Sequence, residues 1–161
     1  MKLVMNPARA YILGLWKGRK TKEGVGVEGS QQLCEVFIKI CLDEGLAQPN
    51  KIKYDQESGK KCYFYNSAVR AWLQQELEKR QERLKYKNEF AASYFAGLFD
   101  CTGAVLENEN GKICYFEGDA TDEIVLLRLG FRVKKERGKL VVFGFEFYNW
   151  ISPYLKIRKV E

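Results

Sequence analysis

Residues 94–103 decide the fold of this chain, and they read Tyr94-Phe95-Ala96-Gly97-Leu98-Phe99-Asp100-Cys101-Thr102-Gly103. The stretch is apolar enough to be a buried helix, although it carries Gly97 in its interior and ends at Gly103. A glycine inside a helix costs about 1 kcal/mol relative to alanine, so its presence usually has a packing reason. The sequence therefore predicts that a second backbone approaches this helix closely at Gly97.

A candidate for that second backbone lies near the start of the chain, where residues 11–18 read Tyr11-Ile12-Leu13-Gly14-Leu15-Trp16-Lys17-Gly18. When the two stretches are aligned, their tyrosine, glycine and leucine positions are identical, and an aromatic residue follows the leucine in both. Two glycine-bearing apolar helices, one in each half, indicate a pseudo-twofold domain with these helices at its axis. We expect Gly14 to lie against Gly97.

The segment 95–103 (FAGLFDCTG) resembles the LAGLIDADG motif of homing endonucleases, and the segment 12–20 resembles a degenerate copy of it. In single-chain members of that family, two such helices pack at the centre of two αββαββα repeats, and two antiparallel sheets form a saddle for duplex DNA. The resemblance implies an α+β fold with this pseudo-twofold duplication. It also implies a first repeat with a linker helix in residues 1–87, a second repeat in residues 88–161, and one compact monomer.

Capping residues and hydrophobic periodicity predict similar elements in both halves. Helices are predicted to start near residues 7, 31, 67 and 120, and the one that starts near residue 67 is expected to run to residue 84. Strands are predicted at 51–55 and 60–65 around a turn at 57–59, at 104–109 and 112–117 around Asn110, and at 131–136 and 139–144 around Arg137-Gly138.

The composition restricts the chemistry that the chain can perform. Of its 161 residues, 46% are hydrophobic, none is histidine, and the five cysteines form no CxxC pair. The absence of histidine excludes the usual general base and the Ser-His or Cys-His nucleophile pairs. No apolar run reaches the roughly 20 residues of a membrane-spanning helix, and the N-terminus lacks the apolar region of a signal peptide. The sequence predicts a cytoplasmic protein with no membrane partner and no cofactor.

The resemblance also bears on catalysis, because the penultimate motif position in the family holds an acid that binds divalent metal. Those positions fall on Arg19 in the first segment and Thr102 in the second, and neither side chain can serve as such a ligand. Asp100 matches the motif's earlier aspartate, and its expected role is a hydrogen bond at the helix end. We therefore predict no catalytic residue and no metal site.

The formal net charge is +6, and it is concentrated in the first half. Residues 1–87 carry 17 Lys and Arg against 10 Asp and Glu, whereas residues 88–161 carry 10 against 11. Basic side chains on a two-stranded ribbon suit the major groove of a duplex. The residues predicted to bind nucleic acid are Arg19, Lys20, Lys22, Lys51, Lys53, Lys60, Lys61, Arg132, Lys134, Lys135 and Lys139.

The hairpin at 104–119 carries the opposite charge, with Glu107, Glu109, Glu117 and Asp119 against Lys112 alone. Negative charge disfavours contact with phosphate, so this part is expected either to tilt away from nucleic acid or to bind a protein.

The sequence predicts a protein that binds duplex nucleic acid, DNA in preference to structured RNA, without nuclease activity. One alternative is an active Mg²⁺-dependent, site-specific DNA endonuclease that uses Asp100 and a further acid. Another is a protein-interaction module whose acidic second half meets a basic partner.

Overall fold

The computed structural model describes residues 2–55, 60–109 and 111–158, so the predicted turns at 57–59 and at Asn110 lie outside the described residues. In the first half these residues form α1 (Pro7–Arg19), β1 (Val25–Glu28), α2 (Gln31–Asp43), β2 (Lys53–Tyr54), β3 (Lys61–Phe64), α3 (Ser67–Glu78) and α4 (Arg80–Arg83). In the second half they form α5 (Glu89–Thr102), β4 (Ala104–Asn108), β5 (Gly111–Glu117), α6 (Ala120–Arg128), β6 (Arg132–Glu136), β7 (Lys139–Phe143) and α7 (Phe145–Ile151).

Helices α1 and α5 pack against each other through their glycines. A methyl group added to Gly14 would lie 2.7 Å from the amide nitrogen of Leu98, and one added to Gly97 would lie 3.0 Å from that of Leu15. The added methyl groups would also overlap backbone carbonyl oxygens, that of Tyr94 at Gly14 and that of Tyr11 at Gly97, so glycine is required at both positions for this approach. The predicted contact between Gly14 and Gly97 is confirmed.

The longer helices begin where polar capping side chains follow an extended backbone. Each capping oxygen accepts the amide hydrogen three residues ahead, and the caps are Asn6, Ser30, Asn66, Asn88 and Asp119. At α6 the cap is reciprocal, because Asp122 also accepts the amide hydrogen of Asp119. Each cap satisfies an otherwise unpaired amide of the first turn, and the caps at Asn6, Ser30, Asn66 and Asp119 confirm the four predicted helix starts.

The strands form two antiparallel sheets with related strand orders. The first sheet runs β1–β3–β2, and the second runs β4–β5–β7–β6. Lys20 forms an isolated antiparallel bridge with Val27 of β1. This bridge is the first-half counterpart of the pairing between β4 and β5 in the second sheet. The structure confirms an α+β fold with a duplicated arrangement of helices and antiparallel strands.

The sequence predictions were wrong in two places in the first half. The strand predicted at 51–55 is only two residues long, because Pro49 starts a 3-10 turn (Pro49–Lys51) immediately before it. The helix predicted to run to residue 84 breaks at Lys79 into α3 and α4. At this break Arg80 turns inward, and its Nε donates a hydrogen bond of 2.8 Å to the carbonyl oxygen of Leu77.

The core extends through both halves, but its chemistry differs between them. In the second half it is rich in aromatic rings, with Phe116 and Phe147 stacked at 5.6 Å between ring centroids. In the first half the aromatic core residues are fewer, namely Tyr11, Trp16, Phe37 and Phe64. The five cysteines are buried free thiols. Among the described residues, no helix is long and apolar enough to cross a membrane.

Candidate nucleic-acid interface

The C-terminal ends of α1 and α5, called the feet, lie next to each other. A methyl group added to Gly18 would lie 2.6 Å from the Cys101 sulfur, so the two feet are in close contact there. Arg19 is the last residue of α1 and is partly exposed. Thr102 is the last residue of α5, and its hydroxyl oxygen accepts a hydrogen bond of 2.9 Å from the amide of Glu117. The structure thus places both motif positions at the feet.

Cys101 lies between these two positions and is neutral at physiological pH. Its sulfur contacts the carbonyl oxygens of Leu15 at 3.5 Å and Gly97 at 3.4 Å. Burial raises the pKa of the Cys101 thiol to about 12, although the nearby Arg19 guanidinium acts to lower it. A thiol with this pKa supplies neither a thiolate ligand nor a nucleophile at neutral pH.

Asp100 is buried, and its carboxylate is used to hold the end of the chain against α5. The Tyr11 hydroxyl donates to it at 2.5 Å, and the amides of Lys156 and Arg158 donate at 2.8 Å each. The Arg158 side chain adds hydrogen bonds to the carbonyl oxygens of Asp100 and Cys101. These bonds occupy both carboxylate oxygens and give Asp100 a structural function at the end of α5.

The side chains at the feet do not form a set of ligands that suits a divalent cation. Within residues 2–55, 60–109 and 111–158, no three His, Cys, Asp or Glu side chains gather in a group that could hold a metal ion. Mg²⁺ and Ca²⁺ require oxygen ligands that include carboxylates. Here Arg19 and Thr102 occupy the motif positions, and the Asp100 oxygens already accept hydrogen bonds.

The face of each sheet that points away from the helices is called its outer face, and in the first sheet it carries two lysines. Cys62 and Phe64 of β3 are fully buried, so the alternating residues Lys61 and Tyr63 lie on the outer face. Lys53 is in register with Tyr63 and lies on the same face. Lys61 forms an ion pair of 2.8 Å with Glu23, which reduces the charge it can offer to a ligand.

The remaining basic residues of the first half lie around this sheet. Lys51 lies in the 3-10 turn and lines an open groove of about 670 Å³ together with Lys53. Lys60 lies just before β3, and its carbonyl oxygen accepts the amide hydrogen of Gly29. Lys20 and Lys22 are exposed in the segment after α1, where the Lys20 ammonium lies 5.1 Å from the centroid of the Trp16 ring.

In the second sheet, three of the four predicted basic residues lie on the outer face. Arg132 and Lys134 of β6 are in register with Phe143 and Val141 of β7, and Lys139 lies on the same face of β7 as those two residues. Lys135 is in register with the buried Leu140, which places it on the opposite, helix-facing side. Lys135 is therefore separated from the other three, because a strand sends successive side chains to opposite faces.

The acidic residues of the 104–119 hairpin are less concentrated on the outer face than the sequence suggests. Glu107 is in register with Lys112 and shares the helix-facing side with Val105 and Cys114. Asp119 forms ion pairs with Arg80 at 3.0 Å and Lys17 at 3.3 Å. Glu117 remains on the outer face, in register with Lys139.

A buried ionic cluster behind the second sheet was missed by sequence reasoning, which placed Arg80 in a solvated helix. The Arg80 guanidinium donates to Asp122 at 2.6 Å and to Asp119 at 3.0 Å through each of two nitrogens. The Tyr94 hydroxyl also donates to Asp122, at 2.7 Å. Burial raises the pKa of the Tyr94 hydroxyl well above its ordinary value, and the carboxylate of Asp122 adds to this effect. The cluster joins α4, α5 and α6.

Comparison with solved structures finds the same fold in the homing endonuclease I-DmoI. A structure of an I-DmoI variant with its nicked target DNA and Mn covers 93% of this chain and 98% of its own, with a TM-score of 0.61 and 14% identity. I-DmoI with DNA and Mn matches at a TM-score of 0.61 and 15% identity, over 90% of this chain and 96% of its own. I-DmoI with DNA and Ca gives a TM-score of 0.59 and 15% identity, over 94% and 91%.

A scan against protein-family models and a search of curated proteins found no match. The likeness to I-DmoI therefore rests on the arrangement of helices and strands, which extends over about nine-tenths of the chain. The chain has the two-repeat α+β fold of I-DmoI, a LAGLIDADG homing endonuclease.

Proposed function

We propose that the protein binds duplex DNA across the outer faces of its two sheets and does not cleave it by metal-dependent hydrolysis. The observation that carries the proposal is at the feet of the central helices. There a fold shared with a DNA-bound homing endonuclease carries Arg19 and Thr102 at the positions where the motif has acids.

Binding is supported by the side chains that the two sheets present on one side. Lys53 and Lys61 lie on the outer face of the first sheet, and Arg132, Lys134 and Lys139 lie on that of the second. A B-DNA major groove about 12 Å wide admits a two-stranded β-ribbon, whereas the major groove of A-form RNA is too narrow for side chains to read. The proposed ligand is therefore DNA.

The absence of hydrolysis follows from the charges at the feet. Cleavage by two-metal chemistry needs anionic ligands that concentrate cations beside the scissile phosphate. Arg19 carries a permanent positive charge that repels a cation and attracts a phosphate instead. Thr102 and the Cys101 thiol are neutral, and although the Glu117 carboxylate lies close enough to raise the pKa of Cys101, no group of three possible metal ligands forms among the described residues. This region is therefore suited to hold the DNA backbone rather than to hydrolyse it.

Binding is tested by fluorescence anisotropy with a duplex DNA of mixed sequence and an RNA duplex of the same sequence, titrated over a series of salt concentrations. We expect micromolar or weaker affinity for DNA at low salt, with a steep decrease as salt rises, because neutralised phosphates release counterions. The RNA duplex should bind more weakly. Failure to bind either duplex at low salt would contradict the proposal and favour a protein partner.

Cleavage is tested by incubating the protein with a randomised duplex library in Mg²⁺ or Mn²⁺ and sequencing the ends. We expect no site-specific ends. Specific cuts that disappear with EDTA and in Asp100→Asn would establish the endonuclease alternative, provided that the folding of the variant is verified by circular dichroism. The converse variant, Arg19→Asp with Thr102→Asp, tests whether restored acids bind Mn²⁺ in a calorimetric titration.

A further inference from the structure

The outer face of the second sheet carries two apolar rows, each made by one residue from β4, β5 and β7. The register of the strands defines them as Leu106–Ile113–Phe143 and Ala104–Tyr115–Val141. The residues that alternate with them in β5 and β7 are fully buried against the helices. The rows therefore face away from the core. Leu106 is 49% exposed, and the β5 and β7 members are partly exposed.

Each apolar row continues into a cation on the edge strand β6. Arg132 follows Phe143 in one row, and Lys134 follows Val141 in the other. The Arg132 guanidinium lies 5.5 Å from the centroid of the Phe143 ring, so the cation borders the apolar surface directly. Lys134 also forms an ion pair of 3.2 Å with Glu136 of the same strand, which reduces the charge it offers beside the strip. An exposed apolar strip with basic residues along one side suits a ligand that has apolar groups beside a line of negative charge.

The dimensions of the sheet match those of a major groove. Adjacent strands lie about 4.8 Å apart, so β5 and β7 fit into a groove about 12 Å wide while β6 reaches its phosphate wall. Side chains on one face of a strand repeat about every 6.7 Å, which is close to two base-pair steps of 3.4 Å each. The β5 and β7 members of the apolar rows would then lie over base edges, and Arg132 and Lys134 would lie beside phosphates.

We infer that the apolar rows read the C5-methyl groups of thymines, so that the second repeat prefers a thymine-rich half-site and distinguishes thymine from uracil. This inference rests on the proposed function, because it names the bases that one part of the DNA-binding surface selects. The thymine methyl is the apolar group that unmodified base pairs present in the major groove. Other base edges present donors and acceptors that would lose water against the aliphatic members and Phe143 without gaining partners, and within the two rows only the Tyr115 hydroxyl can form a hydrogen bond.

The test begins with selection from a randomised DNA duplex library, followed by replacement of thymine with deoxyuridine in the enriched sequence. This replacement removes the C5-methyl group and leaves the hydrogen-bonding edge unchanged. We expect thymines to be enriched in one half-site. The deoxyuridine form of that half-site should bind about 15-fold more weakly if two methyl groups are buried, since each contributes about fourfold. Replacement of cytosine by 5-methylcytosine in that half-site should increase the affinity.

Two variants distinguish methyl reading from a general loss of binding. Ile113→Ala with Val141→Ala should bring the thymine-to-uracil affinity ratio close to one, because it shortens the apolar rows. The control is Lys53→Ala in the first sheet, which should weaken binding to both forms equally. Circular dichroism melting verifies the folding of each variant.

The possible outcomes separate this inference from the proposed function. Duplex binding without any effect of deoxyuridine or 5-methylcytosine would overturn the methyl reading and leave DNA binding intact. Failure of the library and of mixed-sequence duplexes to bind at low salt would overturn the proposed function itself.

Discussion

The sheets of the two repeats differ far more than the central helices that carry them. Helices α1 and α5 meet at equivalent glycines, whereas the first sheet has three strands and a single bridge where the second has four strands. On the outer face of the first sheet, Tyr63 lies between Gly26 of β1, which has no side chain, and Lys53 of β2. Within the part of the chain that the structure describes, no row of three apolar side chains forms there. The second outer face has the two apolar rows at the corresponding positions.

The physical reason for this contrast is the neighbour that each surface meets. At the axis, each helix meets the backbone of the other, and a backbone atom cannot move aside to admit a side chain. The outer faces meet only solvent or a ligand, so their side chains can differ without any cost to packing. The parts that are alike therefore stabilise the fold, and the proposed DNA selectivity lies in the parts that differ.

The largest expected effect is at the axis. Gly97→Leu should destabilise the protein by more than about 3 kcal/mol, the upper range for overpacking, because the added carbons would collide with the backbone of α1. Gly14→Leu should have a comparable cost, since its neighbours are the equivalent atoms of α5. Urea denaturation monitored by circular dichroism measures both. Ala68→Leu, at an exposed position of α3, is the control and should change stability little.

If the two substitutions lowered the free energy of unfolding by clearly different amounts, the two helices would not be equivalent in packing, because one of them could then move away from the other. In that case the similarity of the repeats would be limited to sequence and would not extend to packing.

The next largest effect is expected in the ionic cluster, which joins Arg80 of the 1–87 segment to Asp119 and Asp122 of the second repeat. Arg80→Ala should destabilise the protein by about 3 kcal/mol at neutral pH, because it leaves the fully buried Asp122 without its cation. The double variant Arg80→Ala with Asp122→Asn should recover part of this loss, since the uncompensated charge is then removed. Urea denaturation at pH 7 checks both. Equal stability of the single and double variants would contradict the role of the charge.

The sequence predicts the features that depend on neighbouring residues. The glycines of α1 and α5, and caps such as Ser30 and Asp119, are recognisable because backbone conformation and local hydrogen bonds decide them. The turn at Arg137 and Gly138 was predicted for the same reason, and both residues have positive φ angles of 50° and 81°.

The features that the sequence did not reveal depend on distant residues. Arg80 lies in a run of charges of alternating sign, which is typical of an exposed helix, and its burial is decided by Asp119 and Asp122 on another helix. The structural function of Asp100 requires amides of Lys156 and Arg158 from the far end of the chain. The two apolar rows become visible only when the strand register places residues of three strands side by side.

A moderate effect, on DNA binding, is expected when basic residues of either repeat are replaced by alanine. Replacing Lys51, Lys53, Lys60 and Lys61 together should flatten the dependence of DNA affinity on salt by about 0.9 for each lysine that contacts a phosphate. The ion pair of Lys61 with Glu23 makes its contribution weaker than that of Lys53 on the same outer face. Replacing Arg132 and Lys134 should flatten the slope less, and anisotropy titrations at several salt concentrations measure both. If replacing Arg132 and Lys134 flattened the salt dependence more, the second repeat would make most of the phosphate contacts, contrary to this prediction.

The smallest expected effect concerns the caps of two equivalent helices, Ser30 of α2 and Asp119 of α6. Burial of Asp119 opposes its ionisation, but hydrogen bonds from Arg80 and from the amide of Asp122 outweigh burial and hold its pKa well below the ordinary value. A carboxyl with a lowered pKa contributes stability that is present above its unfolded pKa of about 3.9 and is lost as the pH falls below it. Asp119→Ser copies the cap of the first repeat and removes this contribution.

Because 38% of the Asp119 side chain is exposed, solvent limits this contribution to about 1 kcal/mol, or about 2–4 °C in Tm. Wild type should therefore melt higher than Asp119→Ser at pH 6, and the difference should shrink as the pH is lowered from 4 towards 2. Burial raises the pKa of Asp122, which acts in the opposite direction, but Asp122 is present in both proteins and largely cancels in the difference. Calorimetric melts at each pH measure the effect. A difference in Tm that stays constant down to pH 2 would mean that Asp119 stabilises α6 only as a neutral cap does, and that the two repeats are alike at this position.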